Sequence, residues 1–282
     1  MSSVQSMFKL ALVQMKVGKD KVQNIKKALT MISQAKCDGS TLVVLPECFN
    51  SPYGTRYFNE YAEEVPEGET CKALSEAAKE NCVFLIGGSI PEREGQKLYN
   101  TSTVWSPEGQ LLCKYRKTHL FDIDIPGKMT FKESDVLTKG EKTVTFKMGN
   151  CKIGLGICYD IRFNELANVY RKEGIDMLVY PGCFNRTTGP LHWELLARSR
   201  AVDNQVFVAA ASAAPDETAD YVAWGHSMVV SPWGKVLVDA EFEEKTVVTE
   251  IDLKECEQMR AQIPVLKQRR TDLYDTLTKS NL

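Results

Sequence analysis

Apolar and polar positions alternate between two rhythms along this chain. Phe8–Met15 is a short, almost continuously apolar run that predicts a buried strand. From Val22 to Lys36, Ile25, Leu29 and Ile32 recur at helical spacing, with Gly39 as a stop just beyond. Thr41–Leu45 is a second strand, closed by Pro46. Strand, helix and strand in that order predict a parallel crossover. The rhythm continues with a helix at Cys71–Asn81 and a strand at Val83–Ile90. It resumes with strand Lys152–Ile157, helix Asn164–Glu173, strand Asp176–Tyr180, helix Leu191–Val202 and strand Val206–Ala210.

Two hairpin turns punctuate the pattern, Ser106-Pro107-Glu108-Gly109 and Ser231-Pro232-Trp233-Gly234. With the three residues that follow each, they agree by identity or close similarity at five of seven positions. Proline second and glycine fourth suit a type I turn with a glycine bulge. Each half of the chain thus carries βαβ units followed by a meander. The expected architecture is α/β: two sheets face to face with helices outside, a four-layer α-β-β-α sandwich. No low-complexity linker divides the 282 residues, so a single domain over 1–282 is expected.

Composition narrows the function classes. A hydrophobic fraction of 43%, a charged fraction of 26% and a net charge of −2 are ordinary for a globular domain. With no basic block, nucleic acid and anionic membranes have little electrostatic support as partners. No apolar run approaches the roughly 20 residues of a membrane span. Met1–Ser6 lacks the order of a secretion signal, which leaves a cytoplasmic location as the expectation and mitochondrial import open. Nine scattered cysteines without C-x-x-C spacing predict reduced, core-filling thiols rather than disulfides. His119, His192 and His226 lie far apart in sequence, so no metal site is expected.

Three residues occupy the loop positions where α/β sites form, beyond the carboxyl ends of strands. Glu47 follows Pro46; Cys158 follows Lys152–Ile157, with Asp160 and Arg162 just beyond; Lys117 follows the stretch at Leu111–Cys113. A thiol there can be activated as a nucleophile, and Gly154 and Gly156 allow close packing beneath it. A carboxylate can take its proton and later activate water. An ammonium can hold the oxyanion of a tetrahedral intermediate, with a backbone N–H beside it. This chemistry needs neither metal nor cofactor. Singly, each residue has a plainer role: core packing for Cys158, a solvated loop charge for Glu47, one member of a basic face for Lys117.

Three segments, Leu45-Pro46-Glu47-Cys48-Phe49, Lys114–Phe121 and Gly156–Phe163, resemble the three signatures of the nitrilase superfamily, in the family's order. The resemblance runs from the first strand to about Tyr274. It implies an αββα sandwich and a Glu–Lys–Cys triad at Glu47, Lys117 and Cys158. It further implies a second glutamate at Glu133 and an oxyanion donor in the Tyr159 backbone N–H. The segments Pro46–Thr55, His119–Lys128, Tyr180–Pro190, Trp224–Ser227 and Gln262–Lys267 are similar to the ω-amidase branch. That likeness implies hydrolysis of small dicarboxylate monoamides, α-ketoglutaramate and α-ketosuccinamate, to the 2-oxo acid and ammonia. The alternatives are a deaminated-glutathione amidase or other amidase of the superfamily and, more distantly, a non-catalytic binding protein on the same fold. Residues holding a substrate carboxylate are left open, with Arg162, Arg186 and Tyr53 as candidates. The family also implies a homodimer, with the segment from Glu255 onward packed on the partner. The end, Thr278–Leu282, reads as frayed.

Overall fold

The run beginning at Phe8 forms strand β1 (Met7–Gln14), and its internal pattern sets the architecture. Leu10 and Leu12 join one apolar cluster, Ala11 and Val13 another. A strand with a layer packed on each face reads as a continuous apolar run. This computed structural model describes residues 6–278, so the calls on Met1–Gln5 and on the frayed end past Thr278 lie outside the described residues.

After β1 come α1 (Lys21–Cys37), β2 (Leu42–Val44), α2 (Thr55–Tyr61), α3 (Glu69–Asn81), β3 (Phe84–Ile86), β4 (Ile90–Glu94), β5 (Lys97–Trp105) and β6 (Leu111–Arg116). A small hairpin, β7 (Asp122–Ile125) with β8 (Met129–Lys132), leads into the second half. That half runs β9 (Thr145–Met148), β10 (Cys151–Leu155), α4 (Asn164–Lys172), β11 (Met177–Gly182), α5 (Gly189–Asn204) and β12 (Phe207–Ser212). It ends with β13 (Met228–Val230), β14 (Val236–Asp239), β15 (Lys245–Asp252) and α6 (Lys254–Gln262).

The first sheet is ordered β15-β1-β2-β3-β5-β4, with β6 also on β5; the second is ordered β14-β13-β12-β11-β10-β9. In each, three parallel strands are followed by an antiparallel pair. Helices α1 and α3 cover the first sheet through Ala28, Ile32, Leu74 and Ala78. Helices α4 and α5 cover the second through Leu166, Tyr170, Trp193 and Ala197. Between the sheets, Leu10, Val44 and Ile86 share one cluster with Ile153, Leu155 and Val208. This is the expected four-layer α-β-β-α sandwich. The two S-P-x-G turns match closely: Gly109 N donates to Ser106 O and Gly234 N to Ser231 O, each at 2.9 Å. A register shift precedes each turn, at Val104/Trp105 and Val229/Val230.

Several elements differ from expectation. Helix α1 buries Asn24, Ala28, Ile32 and Ala35, because small alanines let it lie close to its neighbours; Ile25 and Leu29 are only half-buried. The single strand expected over Val83–Ile90 is broken into β3 and β4 at Gly87–Ser89. There Ser89 N donates to Pro46 O (3.2 Å) and Cys48 N donates to Ser89 Oγ (3.1 Å). The break thus grips the loop that carries Glu47. Strand β15 pairs with β1 from Met7↔Asp252 to Gln14↔Lys245, so the end of the chain completes the first sheet. Helix α6 follows β15, with Arg260 donating to Ile175 O at 2.8 Å and pairing with Asp176 at 3.3 Å. Among the described residues no helix is long and apolar enough to cross a membrane.

Candidate active site

Four loops meet where strands of both sheets end. Glu47 comes from the loop after β2, and Lys117 directly follows β6. Glu133 opens the 3-10 turn Glu133–Asp135 after β8, and Cys158 opens the 3-10 turn Cys158–Arg162 after β10. Lys117 Nζ lies 2.9 Å from Glu47 Oε1 and 2.9 Å from Glu133 Oε1. Asn100 Nδ2, on β5, donates to Glu47 Oε1 at 2.8 Å. Glu133 is held in turn by Tyr53 Oη, which donates to its Oε1 (2.6 Å), and by Phe121 N, which donates to its Oε2 (2.7 Å). Lys117 and Glu133 are fully buried, and Glu47 and Cys158 are 1% and 3% exposed.

The nucleophile candidate sits in a tight elbow. Cys158 has φ +46°, in the left-handed region that a residue with a Cβ rarely adopts. The surroundings over-determine that geometry, as strained positions require. Asp160 Oδ2 accepts from Ile157 N (2.9 Å) and Tyr115 Oη (2.8 Å). Its Oδ1 accepts from His119 N (2.9 Å) and lies 2.7 Å from His119 Nδ1. Buried Asp160 therefore ties the Cys158 turn to β6, the strand that leads into Lys117. Gly156 supplies the close approach expected beneath the thiol, since a Cβ there would lie 2.4 Å from the Tyr180 ring. Cys183 N, just after β11, donates to Cys158 Sγ at 3.5 Å. Tyr159 is the second residue of its turn, so no earlier carbonyl of that turn can accept its N–H.

Burial dominates the electrostatics. It pushes the Cys158 thiol well above its usual pKa, and the Glu47 charge pushes it further, so the resting sulfur is protonated. Burial and the Glu133 charge raise Glu47 against the pull of Lys117. Burial alone would lower Lys117, yet the charges of Glu133 and Glu47 outweigh it and hold the ammonium well above its ordinary range. One ammonium between two carboxylates leaves a single negative charge. A free thiolate would add a second in a dry site, whereas moving the thiol proton to Glu47 keeps the total unchanged. Glu47 Oε2 is buried and, among the described residues, takes no N–H or O–H donor.

A cleft opens beside Glu47, lined by Tyr53, Cys48, Cys183, Ala213, Ala214 and Tyr221. Tyr53 stacks on Phe131 and packs against Tyr221, so it forms a wall while bonding Glu133. The half-buried Arg162 guanidinium lies over Phe184 (4.7 Å) and beside Tyr159 (5.5 Å). It meets His192 Nδ1 at 3.1 Å and has no carboxylate partner among the described residues; its Nε is buried without any partner. Neither Asp160 nor Glu165 pairs with it. Arg186 is exposed and paired with Glu217, outside the cluster. Among the described residues, no group of three or more His, Cys, Asp or Glu side chains is arranged to hold a metal.

Sequence reasoning missed Asn100, Cys183 and Tyr221. One signal was available: Pro46-Glu47-Cys48-Phe49-Asn50 and Pro181-Gly182-Cys183-Phe184-Asn185 are near-repeats at matching places, after β2 and at the end of β11.

The family model described as carbon-nitrogen hydrolase matches residues 9–261. The chain is 57% identical over 274 residues to omega-amidase NIT2 of Mus musculus, covering 97% of this chain and 99% of that one. To omega-amidase NIT2 of Homo sapiens it is 58% identical over 267 residues, covering 95% and 96%. Among solved structures it is similar to Saccharomyces cerevisiae Nit3, a member of branch 10 of the nitrilase superfamily. That likeness has a TM-score of 0.87 at 42% identity, covering 95% of this chain and 98% of that one.

Proposed function

The chain belongs to the carbon-nitrogen hydrolase family, and from that premise we propose that it is an ω-amidase hydrolysing the terminal amide of small dicarboxylate monoamides such as α-ketoglutaramate and α-ketosuccinamate. The observation that carries the reading is the buried ammonium of Lys117 clamped between Glu47 and Glu133 beside the Cys158 thiol. Glu47 takes the thiol proton as sulfur adds to the amide carbon. Lys117 and the Tyr159 N–H stabilise the oxyanion, while Glu133 keeps the ammonium charged and in place. The intermediate collapses to a Cys158 thioester as Glu47 returns the proton to the leaving ammonia. Water, deprotonated by the same carboxylate, then releases the acid.

Arg162 receives the substrate's distal carboxylate. Burial holds its pKa below the usual guanidinium value, as befits a cation without a counter-ion, and Asp160 is saturated by other donors. An incoming carboxylate would relieve that deficit. The protein acts as a homodimer. Leu191, Leu195 and Val202 form an exposed apolar stripe on α5, and Val265, Leu273, Tyr274 and Leu277 are exposed in the tail that would lie on the partner. Free thiols throughout favour a reducing compartment such as the cytoplasm.

Incubation with α-ketoglutaramate is expected to release ammonia and to give an acyl adduct on Cys158 by intact mass. Rapid turnover surviving in Cys158→Ala would sink the mechanism, and faster turnover of deaminated glutathione would move the substrate assignment. Sedimentation of Leu195→Glu tests the dimer: a wild-type monomer overturns it.

A further inference from the structure

The two carboxylate oxygens of Glu47 stand in different surroundings. Oε1 accepts from Lys117 Nζ and Asn100 Nδ2, at 2.9 and 2.8 Å, whereas Oε2 is buried and, among the described residues, takes no N–H or O–H donor. Cys158 is close enough for its thiol and this carboxylate to shift each other's protonation. Lys117 alone would fix this arrangement poorly. Its ammonium sits on a flexible stem and is shared with Glu133, and the terminal torsion of a glutamate is broad and two-fold. Asn100 supplies the second donor, on a shorter side chain fixed to a central strand. It is 1% exposed and lies in the middle of β5, between β4 and β6. Its carbonyl also accepts from Lys117 N at 2.8 Å, so one residue braces the strand end carrying the ammonium and the carboxylate facing it.

We propose that Asn100 is the positioning residue that divides the two oxygens of Glu47, fixing Oε1 together with Lys117 and leaving Oε2 as the atom that takes the Cys158 proton. The inference rests on Glu47 acting as the base. It carries a second consequence. An N–H donated to the ionised carboxylate favours that form and opposes the burial that raises its pKa. The other titratable groups around Glu47 are Lys117 after β6, Glu133 after β8, Cys158 after β10, Cys183 after β11, Cys48 in its own loop, Tyr53 and Tyr221. Only Lys117 among them is a cation, so loss of the Asn100 donor is not covered by another positive group.

The test is the pH dependence of Cys158 alkylation by iodoacetamide, followed by peptide mapping, in the wild type, Asn100→Leu and Asn100→Asp. Asn100→Leu keeps the size and removes the donor, while Asn100→Asp keeps the shape and adds a like charge. The acid limb is expected to move up by about one pH unit in Asn100→Leu, about a tenfold loss of rate at a fixed pH on that limb. The shift is expected to be larger in Asn100→Asp. With the ω-amide as substrate, kcat should fall on the same limb while KM stays within about twofold. Thermal midpoints identify which variants are folded. A wild-type acid limb in either folded variant overturns the proposal. Alkylation needs no amide, so a wild type that fails on the ω-amide would sink the proposed substrate and leave this test standing.

Discussion

The loops at the ends of β2 and β11 occupy matching places in the two sheets and nearly share a sequence, yet they serve the site by different means. In the first, Glu47 projects a carboxylate onto Lys117 and Asn100. In the second, the matching position is Gly182, where a Cβ would lie 2.6 Å from the Trp193 ring and 3.6 Å from Cys158 Cα. Without a side chain, the backbone there approaches the nucleophile, and Cys183 N reaches Cys158 Sγ. The asparagines diverge as well. Asn50 donates to Glu63 and Thr70, whereas Asn185 Oδ1 accepts from Thr187 N and Thr188 N at the entry to α5. Phe49 fills the outer core of the first half, and Phe184 lies under Arg162. One scaffold is thus used once to present a side chain and once to present a backbone. Near-symmetry of the fold is compatible with an asymmetric reaction centre.

The comparison is broken hardest at Glu47. Glu47→Gln keeps the shape but removes the base, and kcat is expected to fall by about 100- to 10,000-fold, read as ammonia release. The raised pKa of Glu47 gives the same loss by titration. The ionised form is required, so kcat/KM falls as pH drops through a value above the ordinary glutamate range, with full activity above it. A profile whose acid limb lies at or below the ordinary value would contradict this. Arg162→Met, over the second loop's Phe184, is expected to lower kcat/KM for the carboxylate-bearing amide by about 10- to 100-fold, the worth of a charge-assisted hydrogen bond. Butyramide, which lacks the carboxylate, should be hydrolysed at an unchanged rate. Gly182→Ala asks whether the second loop needs its bare backbone; overpacking against Trp193 is expected to cost about 1–3 kcal/mol in chemical denaturation. Asn185→Ala is the mildest, removing acceptors at the start of α5 for about 1 kcal/mol of stability.

Much of this centre was legible in the sequence, because Glu47, Lys117 and Cys158 each follow a strand and lie in segments with a recognisable family pattern. Glu133 was legible through that resemblance alone; its local context is an exposed-looking Lys132-Glu133-Ser134. Asn100 was not, since a polar residue inside Leu98–Val104 reads as the solvent-facing member of an alternation. In the fold it is buried and bonded to Glu47 from the loop after β2. Strand β15 escaped notice because it lies at a sheet edge and is half-buried for most of its length, so its apolar alternation is weak. In α1 only Ile32 of the three large apolar residues that marked the helix lies on its buried face, which Asn24, Ala28 and Ala35 complete.

Strand β15 also imposes an order on assembly. The partner of β1 is β15, and every other described strand lies between them in sequence. Until Lys245–Asp252 leaves the ribosome, β1 presents an open edge of unpaired peptide groups, a hazard for edge-to-edge association. Pairings between such distant segments are also the slow ones to form. The sheet that carries Glu47 is therefore finished by β15, the latest of its described strands in the chain.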